Sequence, residues 1–318
     1  MIDTKEQNPA SHTPILDFDE RADRPVPEKP QGGGSPAAQG EKGKKKSDLG
    51  VRTVAGFVYF VVTAACVLLS DITAMAYLAA IAGMCAFEFY RMMKRDDKLV
   101  NEWLGIAAAA AFPIVAFFFG LPGIVIVASV FLLALILWYV CWPKARIIDL
   151  CLTVFGAMYM GMSLSCLLVV RMDLGALWGG VTMLALIASV WLNDVGAYLV
   201  GRAIGKHRMA PIISPKKTWE GFFGGLAFSV LFWCGMSFIP AITLSTPQAV
   251  GFGLLCGVMG VVGDLAESRM KRNVGVKDSG TIMPGHGGMF DRTDSLLTVS
   301  VTAALCLYLG GCIPNVVI

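Results

Sequence analysis

From residue 52 to residue 313 the sequence alternates long apolar runs with short charged clusters. A helix needs roughly 20 apolar residues to cross a hydrocarbon core about 30 Å thick. Runs near 52–70, 72–90, 104–120, 121–142, 149–170, 177–200, 221–240, 248–268 and 295–313 meet or approach that length. They predict an all-α polytopic membrane protein with about nine transmembrane helices. The run at 104–120 also fits a re-entrant segment. Asp71 and Gly120-Leu121-Pro122-Gly123 read as tight joints between antiparallel helices. Composition agrees: 56% of residues are apolar and 15% charged, against about 25% charged in soluble domains. A soluble globular enzyme and a wholly disordered chain are both excluded.

Residues 1–50 are different in kind. They are rich in Pro, Gly, Lys, Glu and Asp and contain GGGSPAAQGEKGKKK. Such a stretch buries too little apolar surface to offset its ordering entropy, so a disordered cytoplasmic tail is expected. It is too long and polar for a signal peptide, so the first apolar run stays as a span. Residues 51–318 then form the transmembrane domain, with the motif-bearing part at about 190–294. With the tail inside, the inner segments carry all the cations after residue 40 except Arg171. This strong positive-inside bias fixes the orientation. It also makes the basic residues topology signals, with no nucleic-acid partner expected. The nine cysteines include no CxxC pair and read as small apolar packing residues.

Three polar segments carry candidate chemistry. Ser214-Pro215-Lys216-Lys217-Thr218-Trp219-Glu220-Gly221 precedes a span. Its lysines, hydroxyls and helix-start N–H groups suit a polyphosphate. They equally suit topology, and Thr218 suits an N-cap. Gly263 to Arg272 places Asp264 and Glu267 three apart on one helix face. Ionisable groups at a span end are functional candidates, though pairing with Arg269, Lys271 or Arg272 is the plainer alternative. Lys277 to Asp294 is Gly-rich and holds His286, Gly287, Gly288, Asp291 and Asp294. Asp264, Asp291 and Asp294 could converge on Mg²⁺, which takes oxygen ligands and often shares them with substrate phosphates. Asp294 alone would also serve as a helix cap, and His286 is as readily structural as catalytic. Asp194 lies inside the sixth run beside Asn193, where a site role competes with a helix–helix hydrogen bond. Glu88 reads as a snorkelling residue or a partner of Arg91. Gly201 to His207 is one residue short of a P-loop and lacks its Ser/Thr. Gly253 and Gly257 form a GxxxG packing element.

The stretch from Ser268 to Asp294 resembles the signature of phosphatidate cytidylyltransferases. Ser268, Lys271, Arg272, Lys277, Asp278, Pro284, His286, Gly287, Gly288, Asp291, Arg292 and Asp294 stand at the family's spacings. Met283 departs mildly from the family's usual Leu, Ile or Phe. Ser214 to Gly221 is similar to a second motif of that family, and Asp194 with Tyr198, Gly201 and Arg202 to a third. The earlier spans match in hydropathy alone, and the tail has no counterpart.

That resemblance implies transfer of CMP from CTP to phosphatidic acid, giving CDP-diacylglycerol and pyrophosphate. It implies catalytic roles for Asp264, Asp291, Asp294, Lys277 and His286, with the three aspartates holding Mg²⁺ and a second cation in reserve. Ser214, Lys216, Lys217, Thr218, Glu220, Lys271, Arg272, Asp194, Gly287 and Gly288 would bind substrate. The expected setting is the bacterial plasma (inner) membrane among membrane lipids, with the active face cytoplasmic. A homodimer is compatible with the sequence. The rival readings are an ion transporter using the intramembrane acids, a CTP-dependent enzyme with another lipid acceptor, and a membrane scaffold.

Overall fold

A computed structural model describes residues 40–95, 98–283 and 287–313. The expected tail lies outside the described residues as far as residue 39. Helix α1, Gly40–Leu69, reaches back into the stretch expected to belong to that tail. Extending an existing helix by a few residues costs little, because only the first turn carries a nucleation penalty.

Each apolar run folds as helix, and the fold is nearly all-α. After α1 come α2 (Asp71–Lys94), α3 (Glu102–Phe119) and α4 (Leu121–Cys141). The fifth run is α5 (Ile147–Ala157) and α6 (Ser163–Asp173), joined without a break by a π-helical turn at Met158–Met162. Then follow α7 (Ala176–Ile204), α8 (Trp219–Met236), α9 (Thr246–Asn273) and α10 (Phe290–Leu309). Six of these helical segments are long and apolar enough to cross a membrane. α1, α8 and α10 fall outside that set. The apolar part of α1 runs only from Val54 to Leu69, glycines and a glutamate dilute α8, and three charged residues open α10. The joints behave as the sequence suggests. Ser70 caps α2, accepting from Thr73 N at 3.1 Å. Gly120, at φ +62°, turns α3 into α4.

Among the described residues, two short strands stand apart from the helices. β1 (Arg208–Ala210) pairs antiparallel with β2 (Ser214–Thr218), so the long polar loop after α7 is a short hairpin. This corrects the all-α expectation locally.

Surface exposure is what a lipid solvent allows. On α4, Val125, Leu133, Leu137 and Val140 are all exposed, and such a stripe would be an aggregation surface in water. The core is built from the other faces: Leu78, Phe89, Phe112, Leu164, Trp233 and Phe290 are buried. In lipid, helix pairs are held by close packing and hydrogen bonds rather than by water exclusion. α7 and α8 approach closely through small residues. A Cβ at Gly221 would stand 2.7 Å from Ala197 O, and one at Gly225 2.9 Å from Asn193 O. Gly253 plays the same part between α9 and α8, lying under Val230, which is the packing role its GxxxG spacing predicts.

Arg171 corrects a detail of the charge pattern. It is fully buried, donates Nε to Val67 O at 3.1 Å and pairs with Asp71. The one cation assigned to the outer loops is a bolt between α1, α2 and α6 at the end of the bundle away from the polar motifs.

Candidate active site

The motif-bearing segments converge at one end of the bundle. α9 presents Asp264, Glu267 and Lys271 on one stripe, as i, i+3, i+7 spacing dictates. The first turns of α10 present Asp291 and Asp294, β2 brings Lys217, and α7 brings Asp194. Between them lies a cavity of about 300 Å³. Asp194, Asp264, Glu267, Asp278, Asp291, Asp294, Lys271, Arg292 and Ser295 line it.

Its electrostatics are unbalanced. Lys217 Nζ lies 2.7 Å from Asp264 Oδ2. Lys271 Nζ bridges Glu267 Oε2 at 2.5 Å and Asp291 Oδ1 at 2.7 Å. Carboxylates still outnumber these cations, and partly buried negative charge in excess calls for a bound cation or for protons.

The carboxylates divide into two kinds. Asp264, Glu267 and Asp294 each offer an oxygen within 4.8 Å of the others. Cis and trans oxygens around Mg²⁺ are about 3 and 4.2 Å apart, given ligand distances of 2.0–2.1 Å. The all-oxygen donor set is the kind a hard divalent cation takes, and the three oxygens lie near enough to close around one ion. Asp291, expected in that trio, is engaged elsewhere. It accepts from Lys271 Nζ, from Ser279 N at 3.0 Å and from Gly288 N at 2.8 Å. Glu267 stands in the cluster in its place. Gly287, at φ +89°, leaves room for this arrangement, since a Cβ there would sit 2.7 Å from Asp291 Oδ2.

The second motif is partly structural. Thr218 is the N-cap of α8 and accepts from Gly221 N at 3.2 Å. Glu220 folds back onto the hairpin, accepting from Lys206 N at 3.1 Å and pairing with His207 Nδ1 at 2.6 Å. Its own backbone N–H and the His207 ring hold its carboxyl down to about 2. Lys216 is exposed on β2 and Ser214 is half-buried at its start. Lys277 is exposed in the loop after α9, and Arg272 donates to Val276 O at 3.0 Å. Ser214, Lys216, Glu220, Arg272 and Lys277 thus stand outside the lining of the acid cavity. His286 lies outside the described residues.

Sequence reasoning missed two groups. Glu88 does not snorkel to meet Arg91. It is buried and accepts from Ser279 Oγ, Met289 N and Phe290 N. Ser279 is buried between Glu88 and Asp291. A charged residue inside an apolar run was the available signal for Glu88; Ser279 offered none.

A bundle of apolar helices, six of them long enough to cross a membrane, thus carries an acid-rich cavity at its polar end. The chain belongs to the cytidylyltransferase family, whose model matches residues 50–309. It is similar to proteins named phosphatidate cytidylyltransferase from Staphylococcus aureus (strain COL) and Staphylococcus haemolyticus, each 48% identical over 110 residues. The match to Staphylococcus epidermidis (strain ATCC 12228 / FDA PCI 1200) is 47% over the same length. These matches cover 35% of this chain and 42% of each relative.

Proposed function

We propose that the chain transfers CMP from CTP to phosphatidate, releasing pyrophosphate, as a nine-span protein of the bacterial plasma membrane with its site facing the cytoplasm. The observation that carries this reading is the cavity itself: a carboxylate cluster spaced for a divalent cation, two lysines in ion pairs with it, and an exposed basic hairpin beside it. The matched relatives' shared name points to the same reaction.

The reaction is a displacement at phosphorus. An oxygen of the phosphatidate phosphate forms a bond to the α-phosphorus of CTP, and the bond to pyrophosphate breaks. The nucleophile is already an anion, so no strong general base is required. The barrier lies in bringing two polyanions together and in stabilising the leaving group. Asp264, Glu267 and Asp294 would hold Mg²⁺, which neutralises phosphate charge and orients the reacting groups. Lys216, Lys277 and Arg272 would supply further phosphate contacts from the cavity's rim. Lys271 keeps Glu267 and Asp291 in register. Thr218 and Glu220 act on the hairpin that carries Lys217, and His286 would orient the phosphates.

The test is purified protein with radiolabelled CTP, phosphatidate and Mg²⁺, with and without EDTA. Metal-dependent label in CDP-diacylglycerol is the expected result. No label, with a known cytidylyltransferase active in parallel, overturns the reading. Label in a different lipid would keep the chemistry and change the acceptor.

A further inference from the structure

We infer that Glu88 is a positioning residue for the cation cluster: from α2 it fixes the start of α10, and through it the place of Asp294. The inference rests on the proposed divalent-cation site.

α10 has no side-chain cap of its own, so its first N–H groups need outside acceptors. Glu88 supplies acceptors for two N–H groups at this end, those of Met289 and Phe290. Oε1 accepts from Met289 N at 3.1 Å, and Oε2 accepts from Phe290 N at 2.8 Å and from Ser279 Oγ at 3.1 Å. A carboxylate at a helix N-terminus is also favoured by the helix dipole. The neighbouring Gly288 N–H donates instead to Asp291. Ser279 spans the two acids as well, its N–H on Asp291 and its hydroxyl on Glu88. Two carboxylates from two helices therefore share one set of donors, and together they fix both the loop and the rotation of α10.

The backbone packed against Glu88 is shaped to admit it. A Cβ on Gly280 would collide with Oε1, and a Cβ on Gly288 would collide with Oε2 and Ser279 Oγ. Two glycines of the signature segment are thus accounted for by a residue far outside it. Asp294 lies one turn beyond Phe290, so a rotation of the helix start carries it away from Asp264 and Glu267.

The test compares Glu88→Gln with Tyr90→Phe in the 318-residue chain. Tyr90 lies on the same helix and donates to Thr153 O at 2.6 Å, away from the cluster. The first readout is the Mg²⁺ concentration that gives half of the metal-induced rise in melting temperature, which requires no turnover. E88Q is expected to raise it about 10-fold, the lower end of what outer partners of metal ligands contribute. Y90F is expected to lower the melting temperature and leave that concentration unchanged. Amide exchange at Met289 and Phe290 should rise in E88Q alone. Should E88Q fail to fold, Ser279→Ala carries the same readouts with a smaller shift in the same direction. The inference is overturned if E88Q changes stability alone, if Y90F shifts the Mg²⁺ requirement equally, or if Mg²⁺ does not stabilise the wild type. A wild type that responds to Mg²⁺ but makes no CDP-lipid overturns the proposed reaction and leaves Glu88 where it stands.

Discussion

Lys217 Nζ sits 2.7 Å from Asp264 Oδ2, tying β2 of the hairpin to the last turns of α9. The pair is partly screened, with side chains 23% and 33% exposed, so its worth to stability alone is small. Its weight lies in placing a cation against an acid of the proposed cation cluster. Lys217→Met should therefore reduce turnover by about 10²-fold, the scale of losing one preorganised charge contact, with little change in melting temperature. In a double-mutant cycle with Asp264→Asn the two losses should fall well short of adding. Full additivity in steady-state kinetics would show that the two act separately.

Asp291 and Asp294 are separated by less than one helical turn yet have different partners. Asp294 faces the cluster with Asp264 and Glu267, whereas Asp291 is bound by Lys271, Ser279 N and Gly288 N. Asp294→Asn should raise the Mg²⁺ requirement sharply with a modest stability change. Asp291→Asn should do the reverse. It removes charge-assisted hydrogen bonds worth about 1.5–3 kcal/mol each and leaves Lys271 with one partner. Melting curves across a Mg²⁺ titration separate the two. Equal shifts in metal requirement for both variants would return Asp291 to the ligand set.

The helices were legible because a run of about 20 apolar residues leaves no other structure in lipid. The signature acids were legible because charge at a span end is expensive and so marks a site. What stayed hidden was which acid did what. Asp291 and Glu267 look equivalent in sequence, and only the crossing of α9 and α10 decides that Glu267 joins Asp264 while Asp291 turns to the loop. Glu88 was hidden because its backbone partners are N–H groups 201 and 202 positions away, and backbone donors have no sequence signature. The hairpin was hidden because three- and five-residue strands are too short for alternation to show. The reach of α1 to Gly40 was hidden because its first residues are rich in Gly and Lys and carry no apolar periodicity.

At the far end of the bundle, Arg171 has no solvent to fall back on. It is fully buried and held by Asp71 and Val67 O. Removing one partner of a buried pair costs about 3–5 kcal/mol, because the other is left uncompensated; Asp71 is partly exposed, which brings the figure toward the lower end. Arg171→Met should lower the melting temperature markedly. Arg171→Met with Asp71→Asn should recover much of it. Protein that survives either change should keep its wild-type Mg²⁺ requirement, since the bolt and the cluster lie at opposite ends. A changed requirement would show that packing strain travels the length of the bundle.

Glu220 offers a titration that reads the hairpin directly. Its own backbone N–H and the His207 ring hold the carboxyl down to about 2, against an ordinary 4.5. A lowered folded-state value means that the stabilising contribution is fully present above about pH 4.5 and is lost as pH falls toward 2. Near neutral pH the clasp is therefore complete, and acidification to pH 5 should leave Glu220's share of it intact. A carbon-13 chemical-shift titration of Glu220 should show a midpoint near 2. In His207→Ala the midpoint should rise part of the way to 4.5, because the backbone donors remain. A midpoint that stays near 2 without His207 would assign the whole effect to the backbone. It would also leave His207 free of any part in holding β2, and Lys217 with it, over the acid cavity.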